Sequence, residues 1–137
     1  MKVLIDTPIW SLALRRKPRD LSAQEQHLIQ ALQELIQEGR AQLMGPIRQE
    51  LLSGIRDEER FHKLRSYLRA FDEPNFEFQD YEVAAHMSNQ CRARGVTGSS
   101  IDFLICATAQ RRNWQIFTTD RDFGHYAKIL PLNIFSA

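Results

Sequence analysis

Short apolar runs alternate along this chain with longer segments in which apolar residues recur every three or four positions. Runs of about four to eight such residues are typical of buried strands, and the periodic segments are typical of amphipathic helices. Strands that are separated by helices pair in parallel, so the alternation predicts an α/β domain with a mostly parallel sheet. The predicted strands are residues 2–6 (KVLID), 41–44 (AQLM), 115–118 (QIFT) and 131–135 (PLNIF).

Local signals predict where the first helices begin and end. Pro8 suits the first turn of a helix, and Ser22 and Glu25 have the spacing of a capping box for the next one. Gly39 is placed to end that second helix, because the residue after the last turn often needs a left-handed backbone.

The second half of the chain carries one further strand prediction and two long helices. Residues 76–78 (FEF) indicate a short strand, and Asp80 is the expected N-cap of a helix that runs to about Arg94. Ser99 or Ser100 is the expected cap of the following helix, whose sequence is apolar on nearly every side. A helix of that kind is predicted to lie at the centre of the domain.

Composition narrows the classes of function. With 137 residues the chain fits one domain, residues 1–137, that can bury a core without disulfides. The net charge of +1 provides no overall field for nucleic acid or membrane, so an RNA partner would need a local basic patch. Neither Cys91 nor Cys106 lies in a Cys-x-x-Cys motif, and no apolar run reaches the length of a membrane span. We therefore expect a cytoplasmic protein with reduced thiols and no membrane partner.

Four acidic residues stand where predicted strands end or helices begin. Asp6 ends the first strand, and Asp120 follows the third. Glu50 lies about one turn into the helix after the second strand, and Asp102 lies in the first turn of the central helix. Because the carboxyl ends of parallel strands share one edge of a sheet, these four carboxylates are expected to converge. Taken singly, each has an ordinary structural explanation as a helix cap or a solvated side chain.

Carboxylates that converge in this way need a cation among them, because like charges otherwise raise each other's pKa. A set of oxygen ligands without His or Cys favours Mg²⁺ or Mn²⁺. Such an ion, held by a few carboxylates and by substrate phosphate oxygens, is typical of phosphodiester hydrolysis. The chain's four histidines are scattered without paired spacing, and none is expected to be a ligand or a catalytic base.

The sequence around these acids resembles a known family. Four segments look like the acidic motifs of PIN-domain nucleases, and in particular of the VapC toxins of VapBC toxin–antitoxin modules. The resemblance spans nearly the whole chain and implies a PIN-like fold of three layers, α/β/α, with a central, mostly parallel, twisted sheet. The segments are LIDTPIW (4–10), RQELLSG (48–54), SSIDFLICATA (99–109) and IFTTDRDF (116–123).

The resemblance also implies roles for the acids. It makes all four of them catalytic residues that bind metal. Asp6, Asp102 and Asp120 are expected to hold the metal directly or through water. Glu50 is expected either to do the same or to orient the attacking water.

Three neighbouring residues receive roles from the same resemblance. Asp122 matches a fifth acid, which would serve a second metal or support the ligands of the first. Thr118 matches a hydroxyl that orders the site, and Thr7 follows the first acid as a Thr or Ser commonly does in the family.

The family that this sequence resembles consists of Mg²⁺- or Mn²⁺-dependent ribonucleases that usually form homodimers. Its toxins are held inactive by a cognate antitoxin. The resemblance therefore implies Mg²⁺ (or Mn²⁺) as cofactor, RNA as substrate, and two protein partners, a VapB-type antitoxin and a second copy of the chain.

Basic residues are harder to place by sequence. Arg15, Arg16, Lys17 and Arg19 form a cluster after the first helix and are the best candidates for contact with the RNA backbone. Arg121, between the two terminal aspartates, is a second candidate. A solvated or salt-bridging surface is the alternative in both cases.

Two alternatives to a toxin ribonuclease stay open. One is a PIN-type ribonuclease that acts in RNA maturation or decay. The other is a non-catalytic module that uses the acidic edge to bind a metal or a partner, although a degenerate site would have no reason to keep all four acids. An aspartyl phosphatase is disfavoured, because Asp6 is followed by Thr-Pro-Ile without a second aspartate two positions on.

Overall fold

Four short parallel strands form the central sheet of this protein. We describe it from a computed structural model, which covers residues 1–15 and 17–137. The spatial order of the strands is β2-β1-β3-β4, and every pair is parallel. This confirms the predicted parallel sheet. The strands are β1 (Val3–Ile5), β2 (Ala41–Gln42), β3 (Gln115–Phe117) and β4 (Asn133–Ile134).

Helices connect these strands, as the alternation in the sequence predicts, and the arrangement agrees with the three-layer α/β/α fold. A 3₁₀ helix, Pro18–Asp20, follows the first α-helix. The α-helices of the described residues are α1 (Thr7–Arg15), α2 (Ala23–Gln37), α3 (Gly45–Leu52), α4 (Glu58–Leu68), α5 (Phe78–Ala93), α6 (Ser100–Arg112) and α7 (Asp122–Ala127).

The strand β1 lies at the centre of the core. Its three residues are fully buried, as expected for an inner parallel strand with covered faces. Leu4 pairs with Gln42 on one side and with Ile116 on the other. After the strand ends, the N–H of Asp6 still donates to the carbonyl of Phe117 at 2.9 Å. The ends of β1 and β3 are therefore held side by side.

The helix α6 runs beside this sheet and is buried on most sides, as predicted. Ser99 is its N-cap, with the hydroxyl oxygen accepting the N–H of Asp102 at 3.1 Å. Asn113 ends the helix in the left-handed region, with φ of 58°. The two cysteines lie in α5 and α6 as buried, unpaired thiols, and burial raises the pKa of Cys106.

Two predictions near α5 are wrong. Residues 76–78 do not form a strand, because Phe78 is already the first residue of α5 and Glu77 is its N-cap. Asp80 is therefore not the N-cap. Its carboxylate lies inside the first turn, where it accepts the N–H of Glu77 at 2.8 Å.

Within residues 1–15 and 17–137, no helix is both long enough and apolar enough to span a bilayer.

Candidate metal centre

An open cleft of about 460 Å³ lies at the carboxyl ends of β1 and β3. All four sequence-predicted acids line it, although they come from four separate segments of the chain. The end of β1 supplies Asp6, α3 supplies Glu50, α6 supplies Asp102, and the turn after β3 supplies Asp120. The topology thus brings the four carboxylates together, as the reasoning from strand ends predicts.

Asp6 is the most deeply placed of these acids, with only 6% of its surface exposed. Its Oδ1 accepts the N–H of Thr7 at 2.8 Å, and its Oδ2 accepts the hydroxyl of Thr118 at 2.7 Å. Burial raises the pKa of Asp6 above its usual range. The two hydrogen bonds partly offset this effect, whereas the charges of Asp102 and Asp120 add to it.

The hydroxyl of Thr118 joins two of the acids. It donates to Asp6 and accepts the N–H of Asp120 at 3.0 Å. A hydroxyl can donate once and accept twice, so both bonds form at the same time. Thr118 thereby fixes the turn after β3 against the end of β1.

Asp102 lies in the first turn of α6, where the helix dipole favours a negative charge. The cap made by Ser99 holds its backbone, and the hydroxyl of Tyr126 donates to its Oδ2 at 2.7 Å. Both the backbone and the carboxylate of Asp102 are therefore fixed by neighbouring residues.

Tyr126 is a residue of this site that the sequence prediction missed. Burial, followed by the hydrogen bond to Asp102, raises the pKa of Tyr126 well above its usual range, so the hydroxyl stays protonated as a donor. A signal was present in the sequence. Phe123 and Tyr126 are three residues apart on one helical face, and a buried tyrosine hydroxyl usually has a hydrogen-bond partner.

Glu50 is exposed on α3 and lines the cleft. Its Oε2 accepts the hydroxyl of Thr7 at 3.0 Å. Thr7 thus contacts Asp6 through its backbone and Glu50 through its side chain, which places the two acids in a fixed relation.

Asp122, predicted to serve a second metal or to support the ligands of the first, lies beside two of the other acids. Its backbone N–H donates to Oδ1 of Asp120 at 2.9 Å. One carboxylate oxygen from each of Asp102, Asp120 and Asp122 can be chosen so that all three lie within 4.8 Å. Among the described residues this group does not include Asp6, which lies deeper in the cleft. This group therefore differs by one member from the predicted set of Asp6, Asp102 and Asp120.

The predicted basic residues do not meet at this cleft in the described part of the structure. Arg121 is exposed and is not among the lining residues. Lys17 and Arg19 are exposed beyond the end of α1. Arg16 lies outside the described residues, and for Arg15 only the backbone, the last residue of α1, is described.

The chemistry of the donors fits a hard divalent cation. Among the described residues that line the cleft, none is Lys, Arg or His, so no side chain there compensates the four carboxylates. The donors are all oxygens, which Mg²⁺ and Mn²⁺ prefer over softer ligands. A cation bound here would also stabilise the ionised form of the buried Asp6.

Comparisons with known proteins concern the family and the fold of the chain. The model of the PIN domain family matches residues 3–129 of the chain. No curated protein matches it in sequence.

Solved structures resemble the chain over nearly its full length. VapBC2 from Rickettsia felis, bound to a DNA fragment from the promoter, matches with a TM-score of 0.77 at 18% identity, covering 98% of both chains. FitAcB from Neisseria gonorrhoeae has a TM-score of 0.73 at 18% identity, covering 98% of this chain and 96% of that one. A toxin–antitoxin complex from Klebsiella pneumoniae has a TM-score of 0.72 at 18% identity, covering 97% and 100%. At such low identity these matches establish the fold.

Proposed function

Because this chain belongs to the PIN domain family, a family of nucleases, we propose that it is an endoribonuclease dependent on Mg²⁺ or Mn²⁺. The observation that carries the proposal is the cleft itself. Four carboxylates from four segments line one opening, and no basic side chain of the described lining residues compensates them. A purely structural set of acids would have no reason to meet in this way.

Asp6, Asp102 and Asp120 are the residues that would hold the cation, and the position of Asp122 adds it as a further donor. The chemistry that the cation supplies when bound is a lowered pKa of coordinated water and neutralisation of charge on the phosphate.

Glu50 would orient the attacking water. Its Oε2 is engaged by Thr7, so Oε1 is the oxygen available to accept a hydrogen bond from that water. The open shape of the cleft leaves room for a phosphodiester backbone to approach.

We further propose that the chain is the toxin of a VapBC-type module. Support comes from the fold matches, one of which is described as a toxin–antitoxin complex and another as VapBC2 on promoter DNA. In this proposal a VapB-type antitoxin holds the enzyme inactive, and the active enzyme is a homodimer.

The enzymatic proposal is tested by incubating RNA with the purified chain and Mg²⁺, Mn²⁺ or EDTA. We expect cleavage with either ion and none with EDTA. Asp102→Asn should lower the cleavage rate by roughly two to three orders of magnitude, because it removes a carboxylate that would hold the cation and so weakens the charge stabilisation that the cation supplies. Glu59→Gln, which changes an exposed carboxylate on α4, is the matched control and should cleave normally. Cleavage by Asp102→Asn with unchanged metal dependence would contradict the assignment.

The toxin role is tested separately in cells. Expression of the chain should arrest growth, and co-expression of a small open reading frame from just upstream should relieve the arrest. If RNA is cleaved but growth continues, the alternative of a ribonuclease in RNA maturation or decay replaces the toxin. If metal binds and no RNA is cleaved, the non-catalytic module is correct.

A further inference from the structure

The hydroxyl of Tyr126 is held in one position by the packing around its ring. The residue is fully buried, and its ring centroid lies 4.9 Å from that of Phe103 and 5.3 Å from that of Phe123. The hydroxyl, the only polar atom of its side chain, donates to Oδ2 of Asp102 at 2.7 Å. Because Phe103 follows Asp102 on α6 and Phe123 lies on α7, the tyrosine connects these two helices beneath the cleft.

Gly98 provides the space that this hydroxyl occupies. A Cβ on residue 98 would overlap the hydroxyl oxygen of Tyr126 and would lie 2.7 Å from its Cζ. The glycines with positive φ in the described chain are Gly39, Gly54 and Gly95, so the backbone of Gly98 does not itself demand glycine. The absence of a side chain at position 98 therefore serves close approach and not a special conformation.

The loop before α6 thus determines the position of the Asp102 backbone and carboxylate. Ser99 holds its backbone N–H, and Gly98 admits the hydroxyl that holds its Oδ2. A carboxylate that is fixed through one oxygen loses rotation about χ2, which prepares the other oxygen for a ligand. Asp102 also belongs to the group whose oxygens lie within 4.8 Å of one another.

We propose that Tyr126 is a positioning residue that holds the Asp102 carboxylate for cation binding, and that Gly98 is required for it to do so. The inference rests on the proposed function insofar as it assumes a cation in the acidic cleft. Tyr126 itself does not contact RNA, because none of its surface is exposed.

The test is Tyr126→Phe, which keeps the ring and removes the hydroxyl. We expect the Kd for Mn²⁺, measured from the electron paramagnetic resonance signal of the free ion, to rise about tenfold, as is typical when the partner of a metal ligand is lost. The kcat for RNA should fall while KM stays unchanged. Tyr67→Phe removes a partly exposed hydroxyl from α4 and is the matched control, with an expected Kd equal to that of the wild type.

Gly98→Ala provides a second variant that leaves the tyrosine in place. Its methyl group should displace the hydroxyl from Asp102 and raise the Kd for Mn²⁺ in the same direction. A Kd within twofold of the wild-type value in both variants overturns the inference, even if their thermal stability falls.

Failure of the inference can be told apart from failure of the proposed function. If the wild type binds Mn²⁺, responds to both substitutions and cleaves no RNA, the positioning role stands and the ribonuclease proposal falls. If the wild type cleaves RNA and neither substitution changes Mn²⁺ affinity, the ribonuclease proposal stands and the positioning role falls. A wild type that binds no Mn²⁺ overturns both.

Discussion

The two ends of α6 hold aspartates in opposite electrostatic surroundings. At the N-terminal end, Asp102 and three other acids line a cleft without a basic side chain among its described lining residues. At the C-terminal end, Arg111 and Arg112 contact the fully buried Asp80 of α5. The cleft raises the pKa of its most buried acid, Asp6, whereas the arginines hold the pKa of Asp80 well below its usual range.

Both carboxylate oxygens of Asp80 accept hydrogen bonds from neighbouring residues. Nη1 of Arg111 lies 2.6 Å from Oδ1, and Arg112 contacts both carboxylate oxygens, at 2.7 and 3.0 Å. The N–H of Glu77 donates to Oδ2 at 2.8 Å. A buried charge with this many donors is satisfied within the protein, so it has no need of a ligand.

Asp80 has the surroundings of a structural acid, and Asp6 has those of a candidate functional one. Burial alone does not distinguish them, because Asp6 and Asp80 are both buried. The difference lies in the compensating charge. Arginines supply it at Asp80, whereas no basic side chain of the described residues lines the cleft at Asp6, and this difference makes the cleft a candidate cation site.

The largest effect on stability is expected from Asp80→Asn. The substitution removes the buried negative partner of Arg111 and Arg112, so the free energy of unfolding should fall by about 3 kcal/mol. Urea denaturation measures this. Glu77→Gln is the control, because Glu77 is 61% exposed and lies 3.6 Å from Arg111, and it should cost less than about 1 kcal/mol. Equal losses in the two variants would remove the contrast between the ends of α6.

The second-largest expected effect is stabilisation by Mg²⁺, which should depend on Asp102 at the N-terminal end of α6 and not on Asp80. At ten times its Kd, the ion should add about 1.4 kcal/mol to the free energy of unfolding of the wild type. Asp80→Asn should gain the same amount of stability, because Asp80 is not part of the proposed cation site. Asp102→Asn should gain much less. A thermal-shift titration compares the three proteins. An equal gain in Asp102→Asn would show that the ion binds elsewhere.

The pH dependence of stability should have opposite signs at Asp6 and Asp80. A raised folded pKa means that the folded state holds the Asp6 proton more tightly than the unfolded state, so ionised Asp6 costs stability as the pH rises above about 4. The lowered pKa of Asp80 means that its contribution is present above about pH 4 and is lost below it.

In EDTA at pH 7, Asp6→Asn should therefore be more stable than the wild type by about 0.5–1 kcal/mol, as is common when an uncompensated site charge is removed. This gap should shrink as the pH falls from 7 to 4. The deficit of Asp80→Asn should shrink below about pH 4, as the wild type loses its ion pair. Urea denaturation from pH 7 to below pH 4 measures the difference in free energy of unfolding between each variant and the wild type. If the two differences changed with pH in the same direction, the opposite pKa shifts assigned to Asp6 and Asp80 would be contradicted.

The smallest effect concerns the basic cluster after α1. Replacing Arg15 and Arg16 by Gln should reduce the slope of log affinity for RNA against log salt concentration by about 1.4, if each residue contacts one phosphate of a single strand. The control replaces Lys2 and Arg40, whose carbonyls accept backbone hydrogen bonds at the amino ends of β3 and β1, away from the cleft at the carboxyl ends. If both pairs change the slope equally, the cluster is an ordinary solvated surface.

Much of the fold follows from local signals. Four strands appear where short apolar runs stand, and Ser22, Ser99 and Gly39 act at helix ends as their types predict. The start of α5 was not predictable in this way. Alternation over residues 76–78 indicates a strand only if another strand pairs with it, and no strand of the described residues does.

Some features of the site could likewise be predicted from the sequence, and others could not. That four acids converge could be predicted, because Asp6 and Asp120 follow parallel strands and the other two lie on helices that begin at the same edge of the sheet. The spacing of Phe123 and Tyr126 indicates a buried hydroxyl that needs a partner. That the partner is Asp102 could not be predicted, since it depends on packing against Gly98, 28 positions away. The closeness of Asp122 to Asp102 is likewise a result of packing, although the sequence had marked Asp122 as a candidate.

The order of strands and helices, the parallel sheet and the edge at which the acids gather can all be predicted from the sequence, because periodicity and turn chemistry act between near neighbours. Which aspartates are compensated depends on the folded arrangement. The arginines that neutralise Asp80 come from 31 and 32 residues away, and the hydroxyl that orients Asp6 comes from 112 residues away. Charge compensation in a folded chain depends on distances through space, and those distances are set by packing.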